Sequence, residues 1–564
     1  MKNDDSILID NFSSNKNNID VNSLERERER ERERQKFNLD QITKVELNEI
    51  YNVDCIGLIK KIKSNKLKVD AIITDPPYNV SRENNFNTIG REIDFGKWDW
   101  GFNQTKWIKN IYEIVKDGGS VIIFNDWKNM GDISKELEKQ GFEVKDLIRW
   151  IKKAPMPRNT SRRYVSDAEY AIWAVKPGEK WTFNKNDEKS YLRPEIKSSV
   201  PMGRKRIHPT QKSKEVIKEL IEIHTNKGDV IFDPFSGSGE ISLNSSKMDR
   251  FFIGSEIDKT YWKQSRKRID DTLIKPAINH LGNKFRMIKK LLSELPIKNI
   301  ENFVDVFAGS SVVSASYKSA NKYFINDGDE KLASLIELLS NSPDETYIVN
   351  SIDSIVNKYE LNKIPYKEGY NRLKEHYNKN QHSNKAKINL LVLVLFGFNQ
   401  QIRFNKKGDF NIPPGKTMWT EYQKEKISKF IIAFKNKKVQ VRWKDFEDFI
   451  EEVLEEVGPE NTIFYFDPPY LLSDATYNKN WNTDEEKRLI NCLIKLDEKG
   501  YKWVLSNVIE SKGVENKELL KLIEKLNLKE IEVNINYKNS NYQRRKYSNK
   551  DKEVIIKNFE NGKR

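Results

Sequence analysis

The tetrapeptide Asp-Pro-Pro-Tyr stands twice in this chain, at Asp75-Pro76-Pro77-Tyr78 and at Asp467-Pro468-Pro469-Tyr470, each time closing a short apolar run, residues 69–74 and 462–466. Short unbroken apolar runs suit strands buried on both faces, and such strands belong to parallel sheets covered by helices. A strand that exits into a carboxylate, two rigid prolines and a tyrosine forms a compact polar slot with a stacking wall. That slot suits a flipped-out nucleobase carrying an exocyclic amine. Two copies so far apart point to two such units, and 564 residues exceed what one hydrophobic core supports.

The flanking pattern agrees. Residues 1–45 open with a polar Asn/Ser/Asp-rich stretch and a Glu-Arg alternation over 25–34, which reads as a solvated spacer or frayed helix. Residues 46–272 alternate strand and helix patterns: strands at 121–124, 147–151, 170–175, 229–232 and 251–254, and a helix over 212–224 with Val216, Ile217, Leu220 and Ile221 on one face. The stretch 177–206 is polar and irregular. Residues 273–564 repeat the alternation, with strands at 303–306, 323–325 and 503–506 and a long helical, basic stretch over 327–456. The expected fold class is α/β, two Rossmann-like domains in tandem, each with a mainly parallel sheet and an inserted recognition region.

Composition narrows the class. Lys plus Arg number 99 against 84 Asp plus Glu, a formal charge of +15. Such a balance fits a polyanionic partner, and a general lysine bias gives the same count. Two cysteines, Cys55 and Cys492, and five scattered histidines supply neither a disulfide framework nor a metal site. No apolar run approaches the length of a membrane span and no leader is evident, so a soluble, cytoplasmic protein is expected.

Two further motifs carry chemistry. Asp233-Pro234-Phe235-Ser236-Gly237-Ser238-Gly239 follows a strand pattern and precedes a helix pattern, and its glycines let the backbone approach a ligand. The next strand ends at Glu256, a carboxylate suited to a ribose diol. A second copy runs Asp305-Val306-Phe307-Ala308-Gly309-Ser310-Ser311, with Asp327 ending the next strand. Here Ser311 replaces the second glycine, which costs more wherever φ is positive. A lone Gly-x-Gly is a weak signal; the acidic strand end strengthens it.

Together these residues resemble the amino-methyltransferases of DNA. In the first half Asp-Pro-Pro-Tyr precedes the glycine loop. With His208-Pro209-Thr210-Gln211-Lys212, Met156-Pro157-Arg158-Asn159 and Asp167-Ala168-Glu169-Tyr170, this resembles the beta group. In the second half the glycine loop comes first. With Asn279-His280-Leu281-Gly282-Asn283-Lys284, Phe398-Asn399, Arg403-Phe404-Asn405 and Phe410-Asn411-Ile412-Pro413, it resembles the alpha, Dam-like group. The resemblance implies S-adenosylmethionine as cofactor, held by Asp233, Phe235, Gly237, Gly239 and Glu256 in one half. In the other half it implies Asp305, Phe307, Gly309, Asp327 and Lys284. It implies transfer to adenine N6, with Asp75, Pro76, Pro77, Tyr78 and Asp467, Pro468, Pro469, Tyr470 as catalytic residues.

It further implies double-stranded DNA as partner, with Arg204, Lys205, Arg403, Asn405 and Lys407 as candidate contacts, and Lys406, Lys416 and Trp419 beside them. Trp98, Trp100 and Phe102 read either as substrate wedges or as core. A fusion of two different units fits an asymmetric recognition sequence, one domain per strand, as in modification enzymes paired with type IIS restriction endonucleases. Such a protein would be nucleoid-associated, as monomer or dimer, with no metal. Catalysis by one half only, with the other as a recognition module, and action on RNA stay open as alternatives.

Overall fold

The computed structural model describes residues 38–78, 102–155, 161–162, 164–185, 190–200, 211–279, 282–297, 299–363, 367–383, 385–472, 481–533 and 552–560. They build two eight-stranded sheets. The first contains β1 (Glu49–Tyr51), β2 (Val69–Thr74), β3 (Val115–Asn125), β4 (Glu143–Lys152), β5 (Ala168–Val175), β6 (Glu195–Ser198), β7 (Val230–Asp233) and β8 (Phe251–Ser255). The second contains β9 (Asn302–Asp305), β10 (Lys322–Asn326), β11 (Lys438–Arg442), β12 (Thr462–Phe466), β13 (Lys502–Ser511), β14 (Val514–Glu515), β15 (Lys529–Glu532) and β16 (Lys552–Lys557).

The spatial order in the first sheet is β1-β8-β7-β2-β3-β5-β4-β6, and in the second β11-β10-β9-β12-β13-β16-β15, with β14 paired to β13. From β1 to β3 and from β11 to β13 all neighbours are parallel. In each sheet two antiparallel pairings follow, β3 with β5 and β5 with β4 in one, β13 with β16 and β16 with β15 in the other. Each sheet is mainly parallel, as the apolar runs predict, with an antiparallel flank that they do not reveal.

Side chains alternate between two covered faces. Ile72, Val121 and Phe232 enter one core and Ile73, Ile122 and Ile231 another. Phe303, Ile463 and Tyr465 likewise part from Val304, Phe464 and Phe466. Burial on both faces is why these strands lack the polar–apolar alternation of half-exposed ones. The predicted helix forms over Lys214–His224, with Val216, Ile217, Leu220 and Ile221 buried. The stretch 177–206 read as irregular contains β6, and the helical stretch 327–456 contains β11. Both are short strands whose polar residues mask their pairing. Among the described residues no helix is long and apolar enough to cross a membrane. Nor do those residues place three or more His, Cys, Asp or Glu together to hold a metal.

Candidate active sites

The motif strands lie side by side. β2, which exits into Asp75, pairs in parallel with β7, which exits into the Asp233 loop. β12, which exits into Asp467, pairs in parallel with β9, which ends at Asp305. In open α/β sheets ligands bind at the carboxyl ends of such strands. The outer neighbours β8 and β10 then deliver Glu256 and Asp327 to the same edge.

The glycine loops are built alike. The Gly237 amide donates to Glu256 Oε2 at 2.7 Å, and the Gly309 amide to Asp327 Oδ2 at 2.8 Å. Gly237 and Gly309 have φ of 47° and 52°. Gly239 and Ser311, left-handed at φ 73° and 53°, cap the helices Glu240–Lys247 and Val312–Ser316. Asp233 accepts from Thr74 Oγ1 at 2.8 Å, and Asp305 accepts from Ser314 Oγ at 2.5 Å. In each aspartate the other carboxylate oxygen is buried without a hydrogen bond. Burial pushes both carboxyls up to about 7, and Glu256 likewise to about 7. Orphaned acceptors at a glycine loop fit a ligand that brings its own donors. Above the loops, Phe235 packs edge-on against Phe102 and Trp107, ring centroids 5.4 Å away in each case. Phe307 packs against Phe446 at 5.4 Å and Trp481 at 5.7 Å. In the second half Phe307, Gly309, Asp327, Lys284, Asp467 and Tyr470 share the lining of one cavity of about 830 Å³.

At each Asp-Pro-Pro-Tyr turn four polar groups meet. Lys212 Nζ is 2.6 Å from Asp75 Oδ2 and 3.1 Å from Glu169 Oε2. Tyr78 donates its hydroxyl to Asp75 Oδ1 at 2.6 Å and lies under the Lys212 ammonium. Lys284 Nζ is 2.8 Å from Asp467 Oδ1 and 3.5 Å from Glu553 Oε1. Tyr470 donates to Glu553 Oε1 at 2.9 Å, meets Lys284 through its hydroxyl, and has the ammonium over its ring. Burial pushes the Asp75 carboxyl up against the pull of Lys212, and pushes Asp467 up to about 6 against Lys284. Burial works against the Lys212 charge, but Asp75 and Glu169 together hold its pKa above the ordinary value. Burial opposes ionisation of Glu169 too, and Lys212 and Lys152 nevertheless keep it below the usual carboxylate range. The turn itself is held from outside: Asn129 donates to the Tyr78 carbonyl at 2.9 Å, and Gln104 to that of Pro77.

Lys284, expected among cofactor residues, thus lies against Asp467 while also lining the cavity. Glu169 and Lys212 stand in the stretches 167–170 and 208–212, where sequence alone assigns them no role, and no motif marks Glu553. Its one signal is a carboxylate set in the apolar strand Lys552-Glu553-Val554-Ile555-Ile556. Asn405 and Lys407 sit exposed on a turn between the bridged residues Phe404 and Phe410, with exposed Arg403 just ahead of it. There Asn405 Oδ1 accepts from the Lys407 and Asp409 amides at 2.8 and 3.0 Å, and Arg403 donates to Asn411 at 2.8 Å. Trp419 is no surface contact: it is buried and donates to Asp353 at 2.7 Å. Arg204, Lys205, Trp98, Trp100, the 25–34 repeat, residues 156–159, 208–210 and 280–281 lie outside the described residues.

Comparison with known proteins places this geometry. Residues 69–267 match the model of a DNA methylase family, and residues 280–539 that of the D12 class N6 adenine-specific DNA methyltransferases. A type II methyltransferase of Planomicrobium okeanokoites, M.FokI, is 30% identical over 325 residues, covering 55% of this chain and 48% of its own length. The modification methylase StsI of Streptococcus sanguinis is 30% identical over 298 residues, covering 51% of this chain and 43% of its own. The chain thus spans about half or less of the length of these relatives. The crystal structure of an M1.HpyAVI–SAM complex shares 41% identity over 39% of this chain and 98% of that one, with a TM-score of 0.34. Two adjoining matches, one to each sheet, account for both sets of motifs: the chain belongs to the DNA amino-methyltransferases, as a fusion of a DNA methylase region with a D12 class N6 adenine-specific DNA methyltransferase region.

Proposed function

We propose that the protein is a site-specific DNA methyltransferase that transfers the methyl group of S-adenosylmethionine to N6 of flipped-out adenines. Its domains are 46–272 and 273–564, with residues 1–45 ahead of them. Each half serves one strand of an asymmetric duplex sequence, and the product is protected from a cognate restriction endonuclease. The observation that carries this reading is the repeated adjacency of a glycine loop and an Asp-Pro-Pro-Tyr turn on neighbouring parallel strands.

Asp233, Phe235, Gly237, Gly239 and Glu256 would hold the cofactor in the first half, and Asp305, Phe307, Gly309 and Asp327 in the second. The cofactor supplies a methyl group already activated by its sulfonium, so the protein contributes mainly position. Asp75 and Asp467 accept one N6–H, and the carbonyls of Pro76 and Pro468 accept the other, held in place by the fixed proline φ. This draws the N6 lone pair out of the ring. Tyr78 and Tyr470 offer the ring face not covered by lysine to the base. The proton that N6 loses passes to the aspartate carboxylate. Arg403, Asn405 and Lys407 contact the duplex from their exposed turn, and Arg204 and Lys205 serve the first half.

Tritiated-methyl transfer to unmethylated genomic DNA, followed by single-molecule reading of modified adenines, tests this. Modified adenines on both strands of one asymmetric motif are expected. Transfer to transcribed RNA in preference to duplex, or marks on one strand only, would overturn it.

A further inference from the structure

Glu169 and Glu553 occupy the same place in the two sheets although their positions in the chain do not correspond. Each is the second residue of the antiparallel strand beside β3 or β13. Lys212 and Lys284 correspond as well, each lying ahead of the helix that leads into the glycine-loop strand. A carboxylate–lysine–carboxylate group is therefore present at both sites, built from three separate elements. In both, the ammonium lies closer to the aspartate than to the glutamate, 2.6 against 3.1 Å and 2.8 against 3.5 Å. In the first site Glu169 Oε2 is buried, with the Lys212 ammonium 3.1 Å away.

This arrangement poses a conflict for the aspartate. Burial makes an unpaired carboxylate costly, so it needs the lysine. An oxygen engaged by an ammonium is also a poorer acceptor for N6–H than a vacant one. A second anion within reach resolves it, since a shift of under about 1 Å moves the ammonium from one carboxylate to the other without leaving its charge unpaired. We propose, building on the reading above, that Glu169 and Glu553 are positioning residues of methyl transfer: each is the second seat that takes the lysine ammonium when adenine N6 takes the aspartate oxygen.

Around Asp467 the charged and titratable groups are Lys284, Glu553 and Tyr470, with Asp305, Asp327 and Tyr465 behind them. Around Asp75 they are Lys212, Glu169 and Tyr78, with Asp233, Lys152 and Asp126 behind. The test uses the full chain carrying Asp75→Ala, so that only the second site acts, with and without Glu553→Gln, on unmethylated genomic DNA. The glutamine variant should lower kcat by tenfold or more with KM for cofactor and DNA within threefold. The acid limb of its pH profile should move to lower pH, because a negative charge beside Asp467 is gone. Glu553→Asp should recover part of kcat, and Lys284→Met/Glu553→Gln should be no slower than Lys284→Met alone. Unchanged kcat and acid limb, additive losses in the double variant, or loss of the folded state in Glu553→Gln would overturn the proposal. Absence of transfer by the parent, which carries Asp75→Ala alone, would overturn the underlying reading first and this assignment with it.

Discussion

The two halves reach one sheet from differently ordered chains. Matching β1-β8-β7-β2-β3-β5-β4 to β11-β10-β9-β12-β13-β16-β15 pairs every site residue: Asp75 with Asp467, Glu256 with Asp327, Lys212 with Lys284, Glu169 with Glu553. The first half runs through its Asp-Pro-Pro-Tyr strand before its glycine-loop strand, and the second does the reverse, with helices between β10 and β11 carrying the exposed Arg403 turn. Connections can be cut and rejoined at the surface because the chemistry needs only which strands are neighbours. What does differ is the surroundings of the shared groups. Glu169 is also paired with Lys152, at 2.9 Å, and is 25% exposed. Glu553 takes the Tyr470 hydroxyl and is 8% exposed.

The largest test of this equivalence is to silence each site alone. Asp75→Ala and Asp467→Ala should each cut methylation of one strand by about 100-fold or more, the scale of losing a group that accepts a proton, and spare the other strand. Equal loss on both strands from either change, in folded protein, would break the picture of two independent sites.

Removing the lysines sharpens the difference between the halves. Lys284→Met leaves Asp467 buried without its counter-ion, a loss of about 3 kcal/mol for the ionised form. Asp467 already sits at about 6, and without Lys284 its carboxyl rises further. The active, ionised aspartate then exists only at higher pH, and the acid limb moves up. Lys212→Met should move the limb of the first site the same way but less, because Lys152 remains beside Glu169. Separate pH profiles in the Asp75→Ala and Asp467→Ala backgrounds measure both shifts; an equal or larger shift in the first site would make the Lys152 contact irrelevant.

How far the sequence disclosed these sites follows from how each is encoded. The Asp-Pro-Pro-Tyr turns, the glycine loops and the acidic strand ends are contiguous or set by the next strand, so spacing carried them. Lys212 meets Asp75 across 137 residues, and Lys284 meets Tyr470 across 186. No local pattern announces such contacts. Glu553 is one charge in a strand and gains meaning only from its neighbours across the sheet. Trp419 misleads in the other direction: among so many basic residues it reads as surface, whereas its indole N–H donates to Asp353 inside the helical segment. In the first half the flank strands β4 and β5 are legible as the apolar runs 147–151 and 170–175, but such a run does not reveal its direction, whereas the short β15 and β16 of mixed polarity resemble loops.

Acid unfolding separates the halves on a smaller scale. His224 is packed between Trp173 and Phe183, and burial lowers its pKa to about 3. His376 and His382 in the second half are exposed. A depressed histidine contributes stability that is full above its unfolded value near 6.5 and is lost as pH falls toward 3. The raised Asp75, Asp233 and Glu256 in the first half, and Asp305 and Asp467 in the second, act in the opposite sense. His224 alone should therefore take up to about 1.4 kcal/mol per pH unit below 6.5 from the first half, and His224→Phe should remove that contribution there while leaving the slope of the second half unchanged. Hydrogen exchange read separately for each sheet between pH 7 and 5, in wild-type and His224→Phe protein, measures it; first-sheet slopes that coincide in the two proteins would rule it out.

The smallest effect concerns the last residue of each glycine loop. Gly239 and Ser311 share a left-handed backbone, but their surroundings differ. A Cβ on Gly239 would lie 2.7 Å from the Ser265 Cβ, whereas Ser311 is accommodated, fully buried, with its hydroxyl making no hydrogen bond. Serine in this conformation costs roughly 1–2 kcal/mol against glycine, and a buried unpaired hydroxyl adds to that. Ser311→Gly should therefore stabilise the second half by about 1 kcal/mol. It should leave S-adenosylmethionine affinity within about threefold, under 1 kcal/mol, because the Gly309–Asp327 hydrogen bond does not involve it. Gly239→Ala should destabilise the first half, since both the conformation and the contact resist a side chain. Denaturant unfolding and calorimetry with the cofactor on the full chain separate stability from binding. A destabilised Ser311→Gly protein would mean that the serine is selected for a contact in the bound state and that the two loops, alike in shape, are not alike in use.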